Sequence, residues 1–212
     1  MTKACKQLAI LGASGHGKVV ADLAEQLGYS IRFYDDAYPS KTTLEHWSIN
    51  GTFDDLLDSD INGLEVIVAI GNNAIRKEKS LILEQRKFNF AKLIHPSAVV
   101  SQYAKVDVGS VVFAGAVINA FAEIATGCII NTAAVVEHDT KVGQYTHICP
   151  NVALAGAVNI GECCWVGIGS QVIQLKTVGN NTLIGAGSVV VKSLPANVTA
   201  FGSPAVIVKS DN

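Results

Sequence analysis

Cys128-Ile129-Ile130-Asn131-Thr132-Ala133-Ala134-Val135-Val136-Glu137-His138-Asp139-Thr140-Lys141-Val142 carries an aliphatic side chain at 130, 136 and 142. The same six-residue step runs back through Ile124, Ile118, Val112, Val106 and Val100 to Ile94, and on through Ile148, Leu154, Ile160, Val166, Val172, Val178 and Ile184 to Val190. If roughly a third of positions were aliphatic, chance would give seventeen such hits in a row about once in 10⁸. Two residues before each aliphatic the chain is mostly small or β-branched, as at Ser110, Ala116, Cys128, Thr140, Thr146, Cys164 and Ser188, with Lys176 the misfit.

A strict period of six suits neither a helix at 3.6 residues per turn nor a hairpin sheet. It suits a prism-shaped parallel β-helix in which each hexad forms one side and three sides close an 18-residue coil. The aliphatic points into the shaft and the small residue fits near the corner, so stacked coils bury one apolar column. Residues 94–190 make a little over five coils with no insertion. Glycines after the aliphatic, at 143, 161, 167, 179 and 185, are expected at tight turns. Lys176 is expected to point outward from a locally distorted corner.

The 212 residues are 49% apolar with a formal charge of −2, which supports a sizeable core and offers no basic footprint for nucleic acid or an anionic membrane. No run is long and apolar enough for a spanning helix, and the start leads into a strand without an export signal. Cys5, Cys128, Cys149, Cys163 and Cys164 form no CxxC and no zinc-ligand spacing, so a reduced, cytoplasmic protein is expected, with no metal.

Residues 1–93 follow a different pattern, expected to form a Rossmann-like α/β half-domain ahead of the all-β domain of 94–212. Gln7–Leu11 reads as a buried strand. Next come Gly12-Ala13-Ser14-Gly15-His16-Gly17-Lys18 and a helix to about Leu27, with Val19, Val20, Leu23, Ala24 and Leu27 on its inner face. Residues 31–34 form a second strand ending at Asp35-Asp36. Residues 65–70 form a third, entering Gly71-Asn72-Asn73 and a helix over 74–86, and 88–94 a last strand. Glycine-rich strand-to-helix turns present backbone N–H groups to anionic phosphate. Here the spacing is GxxGxG, a weak signal alone. Asp35 and Asp36, where an acid commonly meets a ribose or base, and Gly71, Asn72 and Asn73 bring polar groups to one crevice. His16 and Lys18 add donors, and Arg76 is placed to meet a phosphate or a surface acid.

Among the histidines, His46 reads as surface and His95, before Pro96, as structural. His138 lies two residues past an inward aliphatic and is expected on the outer surface, flanked by Glu137 and Asp139. A carboxylate beside imidazole fixes its tautomer and stabilises the cation, as a general base requires. His147, nine residues on, falls half a coil away on a different side, so any joint role needs a second subunit.

The repeat resembles the left-handed β-helix of hexapeptide-repeat acyltransferases, which are typically trimers with acetyl-CoA between shafts. The whole chain resembles bacterial sugar acetyltransferases of the bacillosamine-pathway N-acetyltransferase and sialic-acid O-acetyltransferase group. The residues that carry this are 12–18, Tyr34-Asp35-Asp36, Ala69-Ile70-Gly71-Asn72-Asn73, Ile94-His95-Pro96-Ser97-Ala98, Ile130-Asn131-Thr132, Val136-Glu137-His138-Asp139 and Gly202-Ser203-Pro204-Ala205. The resemblance implies a UDP-amino-sugar in the N-terminal crevice, held by Gly12, Ser14, Gly15, His16, Gly17, Lys18, Asp35, Asp36, Gly71, Asn72, Asn73 and Arg76. It implies acetyl-CoA on the shaft near Asn131, Gly156, Ile168, Ala186, Gly202 and Pro204. His138 is then the base, Asp139 its acidic partner, His147 a second histidine at the acetyl group or nucleophile, and the Gly156 N–H a donor to the thioester oxygen. Direct N-acetylation of a sugar 4-amino group in a homotrimer follows. The alternatives are O-acetylation of sialic acid or another sugar, a non-catalytic nucleotide-sugar-binding protein, and a β-helical metal enzyme, which needs three histidines at an interface.

Overall fold

The structure, a computed structural model, describes residues 6–210, so Cys5 and the segment before it lie outside the described residues. The chain divides into two compact units, Met1–Leu93 and Ile94–Asn212.

In the first unit β1 (Lys6–Leu11), α1 (Gly15–Gln26) and β2 (Tyr29–Tyr34) are followed by a hairpin of β3 (Thr43–Leu44) and β4 (Trp47–Gly51) and by α2 (Phe53–Leu57). Then come β5 (Leu64–Val68), α3 (Asn73–Gln85) and β6 (Asn89–Phe90). The sheet order is β3-β4-β2-β1-β5-β6, with β1 parallel to both β2 and β5. The chain leaves β1 toward β2 on one side and returns to β5 on the other, which opens a crevice beyond the C-terminal ends of these strands. Ala9, Leu11, Val66 and Val68 of the central strands pack with Leu56 and Leu83 into the core on one side of the sheet.

Two expectations for this unit need correction, and one feature was not foreseen. The hairpin and α2 have no counterpart in the sequence reading, because short edge strands carry too few residues to show a period. Val19 is exposed, whereas Val20, Leu23 and Ala24 are buried as expected, joined by Ala21, with Leu27 half-buried. Residues 88–94 are two strands, β6 in the α/β sheet and β7 (Leu93–Ile94), which begins the repeat.

From β7 onward a two-residue strand recurs every six residues, β8 (Val99–Val100) through β23 (Val189–Val190), and each aliphatic of the hexad series is the second residue of its strand. Pairing is parallel with partners 18 residues apart, as in Ile118↔Val136 and Ile130↔Ile148. Three sheets result. The first face runs β7, β10, β13, β16, β19, β22, the second β8 to β23 in steps of three, and the third β9 to β21. From Val112 to Val190 the series is buried, and it packs with the small residues into one continuous core. A hairpin of β24 (Val198–Phe201) and β25 (Val206–Ser210) extends the first face.

The small polar residues two before each aliphatic do more than fill space. Thr146 Oγ1 donates to Gly161 O at 2.7 Å and accepts the Cys164 N–H at 2.9 Å, and Ser110, Thr140 and Ser170 repeat the pattern. Each buried hydroxyl thus links one coil to the next with both capacities used. The corners lie one residue earlier, where φ is positive at Gly109, Ala133, Asp139, Asn151 and their equivalents. The glycines after the aliphatics are not the turns. A Cβ on Gly143 would sit 2.6 Å from Glu162 N and Gly161 C, so what excludes a side chain there is the approach of the next coil. Nor is the corner at Lys176 distorted, since Asn159 N donates to Lys176 O at 2.9 Å in the regular ladder.

Substitution separates these two kinds of glycine. Gly143→Ala forces backbone apart and is expected to cost several kcal/mol. Gly169→Ala meets no atom within 4 Å and pays only for φ +68, about 1 kcal/mol. Chemical denaturation of the two variants checks the order, and equal losses would count against the close-approach reading.

Candidate functional site

His138 and Asp139 occupy the corner between the second and third faces, which puts the imidazole outside the shaft. Two acids flank it in sequence, and the structure separates their roles. Asp139, with φ +59, brings Oδ2 to 2.8 Å from His138 Nδ1, whereas Glu137 accepts from Asn119 Nδ2 at 2.8 Å. An N–H on Nδ1 donating to Asp139 leaves the Nε2 lone pair available. Gly156 stands 18 residues on, where a Cβ would lie 2.5 Å from His138 Nε2, so only glycine leaves the ring this position.

His147 is the outward residue of β16 (His147–Ile148) on the first face, opposite that corner in a three-sided prism. It is only 6% exposed. Asn131 Nδ2 lies 3.0 Å from its Nε2, and the Trp165 ring meets it edge-on at 4.5 Å. Asn131 therefore stands with His147 and not with the His138 pair. A mostly apolar hollow of about 410 Å³ joins His147 and Trp165 to Ile168, Leu183, Ala186 and Phe201. Gly202 and Pro204 are exposed in the turn between β24 and β25. A hollow of about 420 Å³ on the third face is lined by Lys105, Asp107, Glu123 and Lys141 and carries no histidine.

In the first unit Gly12, Ser14, Asp35, Asp36 and Gly71 line a hollow of about 210 Å³ with Leu11, Ile70 and Lys79. Asp35 holds this rim together, since it accepts from Ala13 N at 2.6 Å and from Ala37 N at 2.9 Å. Asp36 accepts from Phe53 N at 3.0 Å and faces Lys79 Nζ at 3.9 Å. Asn72 caps α3 by accepting from Ile75 N, and Asn73 accepts from Arg76. Gly15 is exposed at the start of α1. Gly17 is buried where a Cβ would press on Gly12 O.

Arg76, Lys18 and His16 do not line that hollow. Arg76 is 1% exposed and donates to Ile70 O, Gly71 O and Asn73 Oδ1, so it braces the β5–α3 loop rather than a surface acid. Lys18 pairs with Glu45 of the hairpin turn. His16 is largely enclosed, and burial, then the Arg76 guanidinium, lower its pKa to about 4. Lys79 and Trp165 went unread. Lys79 is three residues past Arg76 on the same helix, and Trp165 is 18 past His147, so the coil period marks its column.

Cys149 and Cys164 are poor nucleophiles here. Burial raises the Cys149 thiol to about 12 and Cys164 to about 11. Among the described residues no group of three or more His, Cys, Asp or Glu could hold a metal ion, and no helix is long and apolar enough to cross a membrane.

A crevice at the switch point of a parallel sheet and an imidazole–carboxylate pair on a hexapeptide-repeat shaft define a class of two-domain acyltransferase. Comparison with known proteins narrows it. Residues 7–81 match the PglD N-terminal domain family. The acetyltransferase domain of PglB from Neisseria gonorrhoeae is 39% identical, with a TM-score of 0.92 over 96% of this chain and 100% of that one. PerB from Caulobacter crescentus, solved with CoA and GDP-perosamine, is 37% identical, with a TM-score of 0.91 over 97% and 99%. The UDP-N-acetylbacillosamine N-acetyltransferase of Bacillus subtilis is 38% identical over 115 residues, 49% of this chain and 50% of that protein. The chain spans about a quarter to a half of the length of the curated relatives it matches. It belongs to the bacillosamine-type sugar acetyltransferase family of PglB and PerB, whose fold is an α/β half-domain followed by a left-handed parallel β-helix.

The His16 environment sets a pH dependence. The unfolded imidazole takes its proton near pH 6.5 and the folded one only near pH 4. Stability from this group is therefore complete above pH 6.5 and is lost as pH falls toward 4, by on the order of 3 kcal/mol. Denaturation of wild type and His16→Gln across that window should show a steeper acid loss in wild type, and parallel curves would refute the assignment.

Proposed function

We propose that the protein is an acetyl-CoA-dependent N-acetyltransferase acting on the 4-amino group of a nucleotide-linked 4-amino-4,6-dideoxyhexosamine, of the UDP-bacillosamine type. The observation that carries this is the His138–Asp139 pair, with Nδ1 held at 2.8 Å and Nε2 lying against Gly156. The hollows support it. The glycine-rich turn, Asp36 and Lys79 suit a nucleotide diphosphate, and the apolar hollow beside His147 suits a pantetheine arm. The solved relatives carry acetyl-CoA, or CoA with GDP-perosamine.

In this reading the neutral amine attacks the thioester carbonyl while His138 Nε2 accepts the proton the nitrogen loses. Asp139 stabilises the imidazolium. The C–S bond breaks, and the proton returns to the departing thiolate of coenzyme A. The Gly156 N–H is the donor assigned to the developing oxyanion. His138 and His147 stand on different sides of the shaft, so a shared centre uses His147 of a neighbouring copy, in a homotrimer. A cytoplasmic location belongs to the same proposal.

A coenzyme A release assay tests the activity, with UDP- and GDP-linked 4-amino-4,6-dideoxy sugars beside sialic acid. Release with an amino sugar supports N-transfer, release with sialic acid alone would make the protein an O-acetyltransferase, and binding without release would leave a nucleotide-sugar sensor. His138→Ala should lower kcat by roughly 10²–10⁴ with the fold intact, and near-normal turnover removes His138 from the role. Asp36→Ala should raise the Kd for the nucleotide sugar without changing that for acetyl-CoA. If both rise together, Asp36 is structural.

A further inference from the structure

The corner that carries His138 and Asp139 also carries, two coils and one coil earlier, Tyr103 and Phe121. Their rings stack at 5.4 Å between centroids with planes 20° apart, and the residues are 59% and 60% exposed. The flanking strands set the column, since Val117 pairs with Val135 and Glu123 with Lys141, and Asp139 N donates to Ala120 O at 3.2 Å. Phe121 therefore rides one rung, about 4.8 Å, from Asp139. Phe121 holds φ +62, a left-handed corner conformation that most equivalent corners fill with Gly, Ala, Asn or Asp. A large apolar ring kept there, beside the base, calls for a partner.

We propose that Phe121 and Tyr103 form a shelf for the apolar edge of the acceptor sugar and select a 6-deoxy over a 6-hydroxy sugar. The inference rests on the acetyl-transfer reading and goes beyond it by naming what chooses the acceptor. Gly156, Ile168 and Ala186, assigned to the acyl donor, all lie on coils after His138, and the rings lie on the coils before it. The acceptor amine then approaches Nε2 from the aromatic side. An aromatic face is electron-rich, so it attracts the weakly positive C–H edge and C6 methyl of a deoxy sugar, and an ammonium before its deprotonation. A 6-hydroxyl laid on the same face loses water without gaining a partner.

The test compares kcat/KM for two nucleotide-linked 4-amino sugars that differ only at C6, methyl against hydroxymethyl. Wild type should prefer the methyl sugar by roughly tenfold to a hundredfold. Phe121→Ala and Tyr103→Ala should bring the ratio toward one, with KM for acetyl-CoA and the oligomeric mass unchanged, and Phe121→Tyr should keep the preference. Alanine is compatible with this corner, as Ala133 and Ala157 hold φ +55 and +56 at equivalent positions. An unchanged ratio overturns the shelf and leaves acetyl transfer standing. A raised acetyl-CoA KM or a smaller oligomer would instead place the rings against the donor or another copy, and also overturns it. No turnover of either sugar by wild type sinks the acetyl-transfer reading itself, and the shelf with it.

Discussion

Everything outward on the shaft depends on the hydrogen-bonded ladder between coils. Because each coil has 18 residues, position n stands between n − 18 and n + 18, held by backbone N–H groups such as Ala157 to His138 O at 2.9 Å. Buried hydroxyls add a second set of links inside the core. A periodic sequence thereby becomes a set of vertical columns, and what differs from coil to coil within a column is left for function. The third face presents Lys105, Glu123 and Lys141, the second Val99, Val117 and Val135, and the first Ile129, His147 and Trp165. One backbone repeat thus yields three chemically different sides.

The same register builds the candidate site from few parts. Asp139 reaches Nδ1 because its corner turns through a left-handed residue, which aims a short carboxylate back at the preceding imidazole. Glu137, on the other flank, lies at a strand end and is drawn along the column to Asn119. Absence of a side chain at Gly156 completes the geometry, as any Cβ there would displace Nε2. Burial also holds the thiols of Cys149 and Cys164 protonated.

In the first unit, polar residues are divided between holding the crevice and facing into it. Asp35 ties the glycine-rich turn to the end of β2, and Arg76 ties the loop after β5 to α3, each through hydrogen bonds to backbone groups. Asp36 and Lys79 are left at the rim. Burial, and then the Arg76 guanidinium beside it, also explain why His16 stays neutral.

The shaft was legible in the amino-acid order because a strict period of six suits a three-sided parallel β-helix, though the period is silent about its handedness, and the hexad aliphatics do pack into its core. The strand–glycine turn–helix opening of the first unit was legible for a similar reason, since buried strands and helix stops leave strong local marks. The sequence could not tell Asp139 from Glu137 as the partner of His138, Arg76 from Lys79 as the cation at the crevice, or turn glycines from those crowded by a neighbouring coil. Those choices belong to the tertiary structure, because they turn on which atoms approach across 18 or more residues of chain. Local periodicity sets what each residue faces, while the partner it meets is decided only when the coils and the sheet close.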